Sequence, residues 1–292
     1  MHSFLRAIGF SKMKTKKDLD VILNQVMDRY DEKVLSEAES GQLFAQISKN
    51  YGCDMGISVC GEYDENDKFQ MEYYFPYFKG TGITTQEKMI VDRHAGTESY
   101  AGACDDIRIG VTIIFYLQNG GEYKQQIGRG YEMSEMQPVT LTGLAKEGKI
   151  LLPVQKDKEQ VRIEQEATRT RNQLMMDARS GDEEAIENLT MEDIDTYTMI
   201  SKRIQTEDVF SIVDSYFMPY GIECDQYNVM GEIMDCSSFR NTYTGEEVFQ
   251  MTLSCNDMQF DVCINAKDML GEPGIGRRFK GIIWLQGQLH LQ

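Results

Sequence analysis

Phe249-Gln250-Met251-Thr252-Leu253-Ser254-Cys255 and Met258-Gln259-Phe260-Asp261-Val262-Cys263-Ile264-Asn265 decide the fold class of this chain. In each run apolar side chains alternate with polar or small ones, so each reads as a strand with one buried and one wet face. An earlier run carries Tyr227, Val229 and Ile233. After the pair comes a helix-length insert at Ala266–Leu270, then the turn Gly271-Glu272-Pro273-Gly274-Ile275-Gly276, then a last run over Phe279–Leu285. Five short antiparallel strands with one helical insert near the end predict a small closed barrel of OB type over residues 221–292.

Upstream of the barrel the pattern is mixed. Leu19, Ile22, Leu23, Val26 and Tyr30 share one face of a helix over Lys16–Tyr30. Thr15 as N-cap with Asp18 three residues on forms a capping box. A second helix is expected over Ser40–Tyr51, ended by Gly52. Strands are expected at Met55–Tyr63, Phe69–Lys79 and Ile107–Leu117, with a hairpin of Val139–Leu144 and Lys149–Val154 turning at Lys146-Glu147-Gly148. The turn Asp64-Glu65-Asn66-Asp67 makes the first two strands neighbours, so the sheet is antiparallel with helices on one face. Residues 1–156 thus read as an α+β domain.

Residues 157–220 read as a helical connector with 15 acidic against 7 basic residues. Its first helix, Asp157–Ala178, has a thin apolar stripe of Val161, Ile163, Ala167 and Leu174, suited to bridging domains or pairing with another chain. Thr190 with Asp193, and Thr206, mark two further helix starts. The last of these runs through Val209, Ile212, Val213, Tyr216 and Phe217 to Pro219. The overall class is α+β: an N-terminal antiparallel sheet with helices, the connector, and the barrel.

Composition narrows the function. A net charge of −17 over 292 residues argues against nucleic-acid backbones and anionic membrane surfaces, which demand clustered Lys and Arg. No apolar run reaches the roughly 20 residues of a membrane span. Seven cysteines (53, 60, 104, 224, 236, 255 and 263) include no CxxC pair, and Met1–Arg6 shows no signal-peptide pattern. A reducing cytoplasm is therefore the expected location. The eighteen methionines are read as core filling.

His94, flanked by Asp92 and followed by Cys104, is the most chemical-looking neighbourhood. A His beside carboxylates suits a general base, and a His–Cys dyad suits nucleophilic attack. Only His2 and His290 accompany it in the chain. No metal spacing is visible, so no metal or cofactor is expected. Gly80-Thr81-Gly82 and Gly128-Arg129-Gly130 match neither phosphate-loop motif and read as turns. Glu192, Asp193 and Asp195 lack the central Gly of a calcium loop and read as a solvated first turn. In the barrel, Trp284, Tyr243, Arg277 and Arg278 are the candidate binding surface, with Trp284 on the face opposite Phe279, Ile283 and Leu285.

Met1-His2-Ser3-Phe4-Leu5-Arg6-Ala7-Ile8-Gly9-Phe10 and Ser211-Ile212-Val213-Asp214-Ser215-Tyr216-Phe217-Met218-Pro219-Tyr220-Gly221 resemble a clostridial family of about this length, a domain of unknown function. The resemblance implies a cytosolic protein of anaerobic Gram-positive bacteria and carries over no site residue. The expected function is non-catalytic binding or scaffolding through a protein partner or self-association. The alternative is an enzyme or small-ligand receptor with a pocket near His94.

Overall fold

The computed structural model describes residues 2–38, 41–106, 108–130, 136–154, 158–203, 205–206 and 208–291. A 3-10 helix at Ser3–Ile8 leads into helix α1 (Lys16–Asp28), which has the expected capping box between Thr15 and Asp18. Four strands follow as an antiparallel meander: β1 (Glu32–Glu37), β2 (Leu43–Gly52), β3 (Met55–Tyr63) and β4 (Phe69–Phe78). The β3–β4 turn falls where Asp64–Asp67 put it. There Asp67 takes φ 58° and the Asp64 side chain accepts from the N–H groups of Asn66 and Lys68.

β2 replaces the helix expected over Ser40–Tyr51, whose first residue lies outside the described residues. Both of its faces are covered, which hides the period of two. Phe44, Ala45, Ile47 and Tyr51 are buried, while Gln46 donates to the carbonyl of Gln118 and accepts from the N–H of Gly121. Pairing with β1 and β3 outweighs local helix propensity.

β5 (Met89–Arg93), β6 (Tyr100–Cys104) and β7 (Ile113–Leu117) form a second antiparallel run, followed by helix α2 (Gly120–Gly128). The strand expected over Ile107–Leu117 begins only at Ile113, and Ile107 lies outside the described residues. β5, β6 and α2 have no counterpart in the sequence reading.

β8 (Val139–Leu151) is one continuous 13-residue strand where a hairpin is expected. Gly148 is not a turn residue: a Cβ there would stand 2.3 Å from the Phe279 ring, so the glycine admits that ring to the barrel interior. After β8 come α3 (Lys158–Arg179), α4 (Glu183–Arg203) and the single turn α5 (Val209–Ile212). α4 starts at Glu183, capped by Asp182, whose carboxylate accepts from the N–H groups of Glu184 and Ala185. Glu192, Asp193 and Asp195 therefore sit mid-helix and not in a first turn. The helix expected to run on to Phe217 stops at Ile212, and β9 (Tyr216–Pro219) pairs with the next strand. Phe217 alternates inward and packs on Tyr227 at 4.5 Å and Phe260 at 5.7 Å.

The remaining strands are β10 (Gln226–Arg240), β11 (Glu247–Cys255), β12 (Met258–Asn265), the two-residue β13 (Met269–Leu270) and β14 (Arg278–Leu289). A closed five-stranded barrel runs β8–β12–β11–β10–β14 and back to β8, with β8–β12 parallel and every other pair antiparallel. Four of its strands come from the predicted barrel region. The fifth, β8, precedes the connector helices, in the stretch assigned to the N-terminal domain. Moving β8 from first to last in the chain order would give the connectivity of an OB barrel, with the 3-10 helix Ala266–Asp268 in the place of its helical insert.

Two cores result. One fills the barrel, with Leu141, Tyr227, Ile233, Leu253, Val262, Phe279 and Ile283. The other joins α1, the N-terminal 3-10 helix and the four-stranded sheet to the barrel's outer face at Leu144, Val248, Cys263 and Trp284. Among the described residues, no helix is long and apolar enough to cross a membrane.

Candidate functional site

His94 closes the β5–β6 turn, in which Gly96 takes φ +76°. Its Nδ1 lies 2.9 Å from the Ser99 hydroxyl, which is in turn 2.8 Å from the Thr97 hydroxyl. Its ring stacks over Tyr116 at 6.1 Å. The hydrogen-bond partner is thus a hydroxyl and not a carboxylate. Asp92 is exposed on β5, on the rung of Ala101. Cys104 is buried at the far end of the same hairpin, opposite Met89 and Ile113. The four steps from Tyr100 to Cys104 span about 13 Å of strand, so the structure does not bring His94 and Cys104 together. Burial, with Asp106, Asp105 and Glu87 nearby, pushes the Cys104 thiol up to about 12, the opposite of an activated nucleophile. His94→Gln should change unfolding stability by no more than about 1–2 kcal/mol, the cost of one hydrogen bond and a stack. Urea denaturation of the full chain checks this, and a larger loss would give the imidazole a role beyond the turn.

The same turn holds a buried ion cluster that sequence reasoning missed. The Glu98 carboxylate takes Arg93 at 3.2 Å, Lys124 of α2, and the Tyr100 hydroxyl at 3.3 Å. Tyr73 donates to the Glu98 carbonyl at 2.7 Å. These contacts dock α2 and β4 onto the β5–β6 turn. Arg93 and Tyr100 are near in sequence, but the contacts that dock the other elements are not announced by neighbouring charges, because Tyr73 lies 25 residues from Glu98 and Lys124 is on α2.

The four proposed binding-surface residues do not form one patch. Trp284 is only 5% exposed: its ring packs on Phe4, Tyr116 and His2, and its Nε1 donates to Asp225 at 2.7 Å. It is core, on the face that strict alternation assigns. Tyr243 is exposed beyond the end of β10, beside Phe10 and Tyr51. Arg278 sits opposite Glu232, eight residues before the end of β10, which is about 27 Å of strand away.

Arg278 is 7% exposed, and its guanidinium donates to three carbonyls: Leu152 at 3.1 Å, Val213 at 2.9 Å and Phe210 at 2.7 Å. It ties the start of β14 to the end of β8 and to α5. Arg277 beside it is half-buried and donates to the Glu272 carbonyl at 2.6 Å. Arg278 also lines a cleft of about 920 Å³ between α3 and the end of the barrel. Arg108 enters the same cleft, held by the buried Asp106 carboxylate and by the Thr84 carbonyl. A smaller cavity lies between β1–β2 and α2, around Gln46, Tyr77 and Gln118. Neither is lined by His94, Asp92 or Cys104. Among the described residues, no three His, Cys, Asp or Glu side chains gather as a metal site.

Residues 5–287 match the model of a family described as a domain of unknown function of E. rectale, DUF3881. The chain belongs to that family. The DUF3881 match takes in both sheets, the helices α3 and α4, and the barrel, leaving outside it, of these elements, only the first residues of the 3-10 helix and the last of β14. No curated protein and no solved structure matches the chain.

Proposed function

We propose that this DUF3881 protein is a non-catalytic cytosolic scaffold that works through protein contacts, with the α3–α4 hairpin as the contact surface and a second copy of the chain as its partner. The observation that carries this reading is the apolar face of α4. Tyr197 is 75%, Met191 60% and Ile194 59% exposed, and Ile186 is exposed with them. At 100° per residue these four fall within about 140° of the helix circumference. A two-helix hairpin with such a stripe on its outside resembles half of a four-helix bundle.

Charge supports a second copy as the occupant. α3 carries five basic and four acidic residues, α4 six acidic and two basic. Within one chain Arg171 already pairs with Glu192 and Asp193 across the hairpin. A two-fold arrangement sets each α3 against the partner's α4 and repeats that complementarity between chains. The cytosolic placement rests on seven free cysteines, four of them buried.

Sedimentation of the full chain across a concentration series should show a monomer–dimer equilibrium. Ile194→Glu with Tyr197→Glu should raise the dissociation constant at least tenfold, about 1.4 kcal/mol. Both positions are exposed, so the monomer should stay folded. A wild-type chain monomeric at every concentration would sink the reading.

A further inference from the structure

We infer that the cleft between α3 and the barrel end is a binding site for a small multivalent oxyanion, a molecule carrying phosphate or carboxylate groups. The chain as a whole is strongly acidic, yet four arginines (Arg108, Arg169, Arg171 and Arg278) line this one cleft. Two are already neutralised: Arg108 by Asp106, and Arg171 by Glu192 and Asp193. Among the described residues, Arg169 and Arg278 have no carboxylate within ion-pair distance.

Arg278 is the decisive one. Glu232 sits opposite it on β10 but outside ion-pair distance, and carbonyl dipoles offset only part of the cost of burying a guanidinium. Its three hydrogen bonds leave two of its five N–H donors for another acceptor. An oxyanion in the cleft supplies both the missing charge and the missing acceptors, and a planar guanidinium fits phosphate or carboxylate oxygens in pairs. Arg169 and Asn172, one helical turn apart on α3 by spacing, bound the same space from the other side. Asp214, Glu232 and Asp257 also line the cleft. They repel an anion but accept hydrogen bonds from hydroxyl or amine groups, which favours an organic anion with such donors over a bare ion. The volume of about 920 Å³ is within the range of small-molecule sites.

The probes are pyrophosphate for the phosphate source and citrate for the carboxylate source, titrated into the full chain at constant ionic strength. One of them should bind saturably at one per chain. At about a hundred times its dissociation constant it should raise the melting midpoint by roughly 5 °C. Arg169→Ser with Asn172→Ala, both on the cleft side of α3 and outside the Arg171 pairing with Glu192 and Asp193, should weaken that binding at least tenfold while leaving the ligand-free melting curve close to wild type. Arg278→Lys keeps the charge but loses the fork. If it folds, it should weaken binding similarly, and the α3 pair tests the site even if it does not. Absence of saturable binding by either probe overturns the inference. So does binding unchanged in the α3 pair, or an oligonucleotide that binds more tightly than both probes.

Discussion

Residues 221–292 expressed alone are expected to stay unfolded, without a cooperative thermal transition. The segment contains β10, β11, β12 and β14, but the barrel closes only through β8. β14 pairs with β8 along its whole length, from Arg278↔Leu151 to Leu289↔Val139, and β12 pairs with β8 through Asp261–Ile264. Without β8 both strands become open edges, and the interior loses Val139, Leu141 and Ala145. Each large aliphatic group removed from such a core withdraws about 1.5–3 kcal/mol, against a typical domain stability of about 5–15 kcal/mol. The same register indicates the repair. Leu289 and Val139 are opposite one another, and the N–H of His290 bonds the carbonyl of Pro138 at 3.0 Å. A short Gly/Ser linker from residue 291 to residue 138 can therefore append 138–154 as the final strand. That permuted chain should be β-rich by circular dichroism and melt cooperatively. Cooperative melting of 221–292 by itself would show that β8 is dispensable.

The failure to foresee β8 as one strand has a local cause. Lys146-Glu147-Gly148 has turn composition, yet Gly148 is present because the Phe279 ring occupies the place of a side chain. That requirement exists only once β14 lies alongside, 130 residues later in the chain. β2 failed differently: cover on both faces removed the alternation that made β11 and β12 readable. The elements that were legible depend on near neighbours, such as the Thr15–Asp18 box and the Asp64–Asp67 turn. At the candidate sites the difference was the same in kind. Arg277 and Arg278 read as a basic pair, but Arg277 donates to the Glu272 carbonyl, and Arg278 to carbonyls at the ends of β8 and α5 far away in the chain. Cys104 and His94 look adjacent in sequence and occupy opposite ends of one hairpin.

Acid should unfold this protein in two steps of lost stability, through His2 and Glu246. His2 packs against Trp284 at 4.6 Å, and burial, with Lys146 nearby, lowers its pKa from 6.5 to about 4. Its folded-state pKa lies below its unfolded value, so its contribution is complete above pH 6.5 and disappears as pH falls toward 4. Glu246 fastens the N-terminal segment to the barrel. Its carboxylate accepts from the Ser11 hydroxyl at 2.7 Å and N–H at 3.0 Å, from Asn265 at 2.7 Å and from Lys267 at 2.6 Å. Burial raises its pKa, but those donors outweigh burial and hold it at about 2. That contribution is complete above pH 4.5 and is lost between there and pH 2. Each change is at most about 3 kcal/mol at 1.36 kcal/mol per pKa unit. Asp106 adds to the acid loss, because its bonds to Arg108 outweigh burial and depress it. Asp225 and Glu72 oppose it, since burial raises both and protonation relieves them. Urea midpoints followed by the fluorescence of Trp284, the single tryptophan, should fall from pH 7 to pH 4 and again below pH 4.5. His2→Phe should flatten the first limb and keep the second. Glu246→Gln should cost about 3 kcal/mol at pH 7, and the deficit should shrink toward zero near pH 2. Wild-type midpoints that stay level between pH 7 and pH 4 would mean that the imidazole is not buried beside Trp284 in solution.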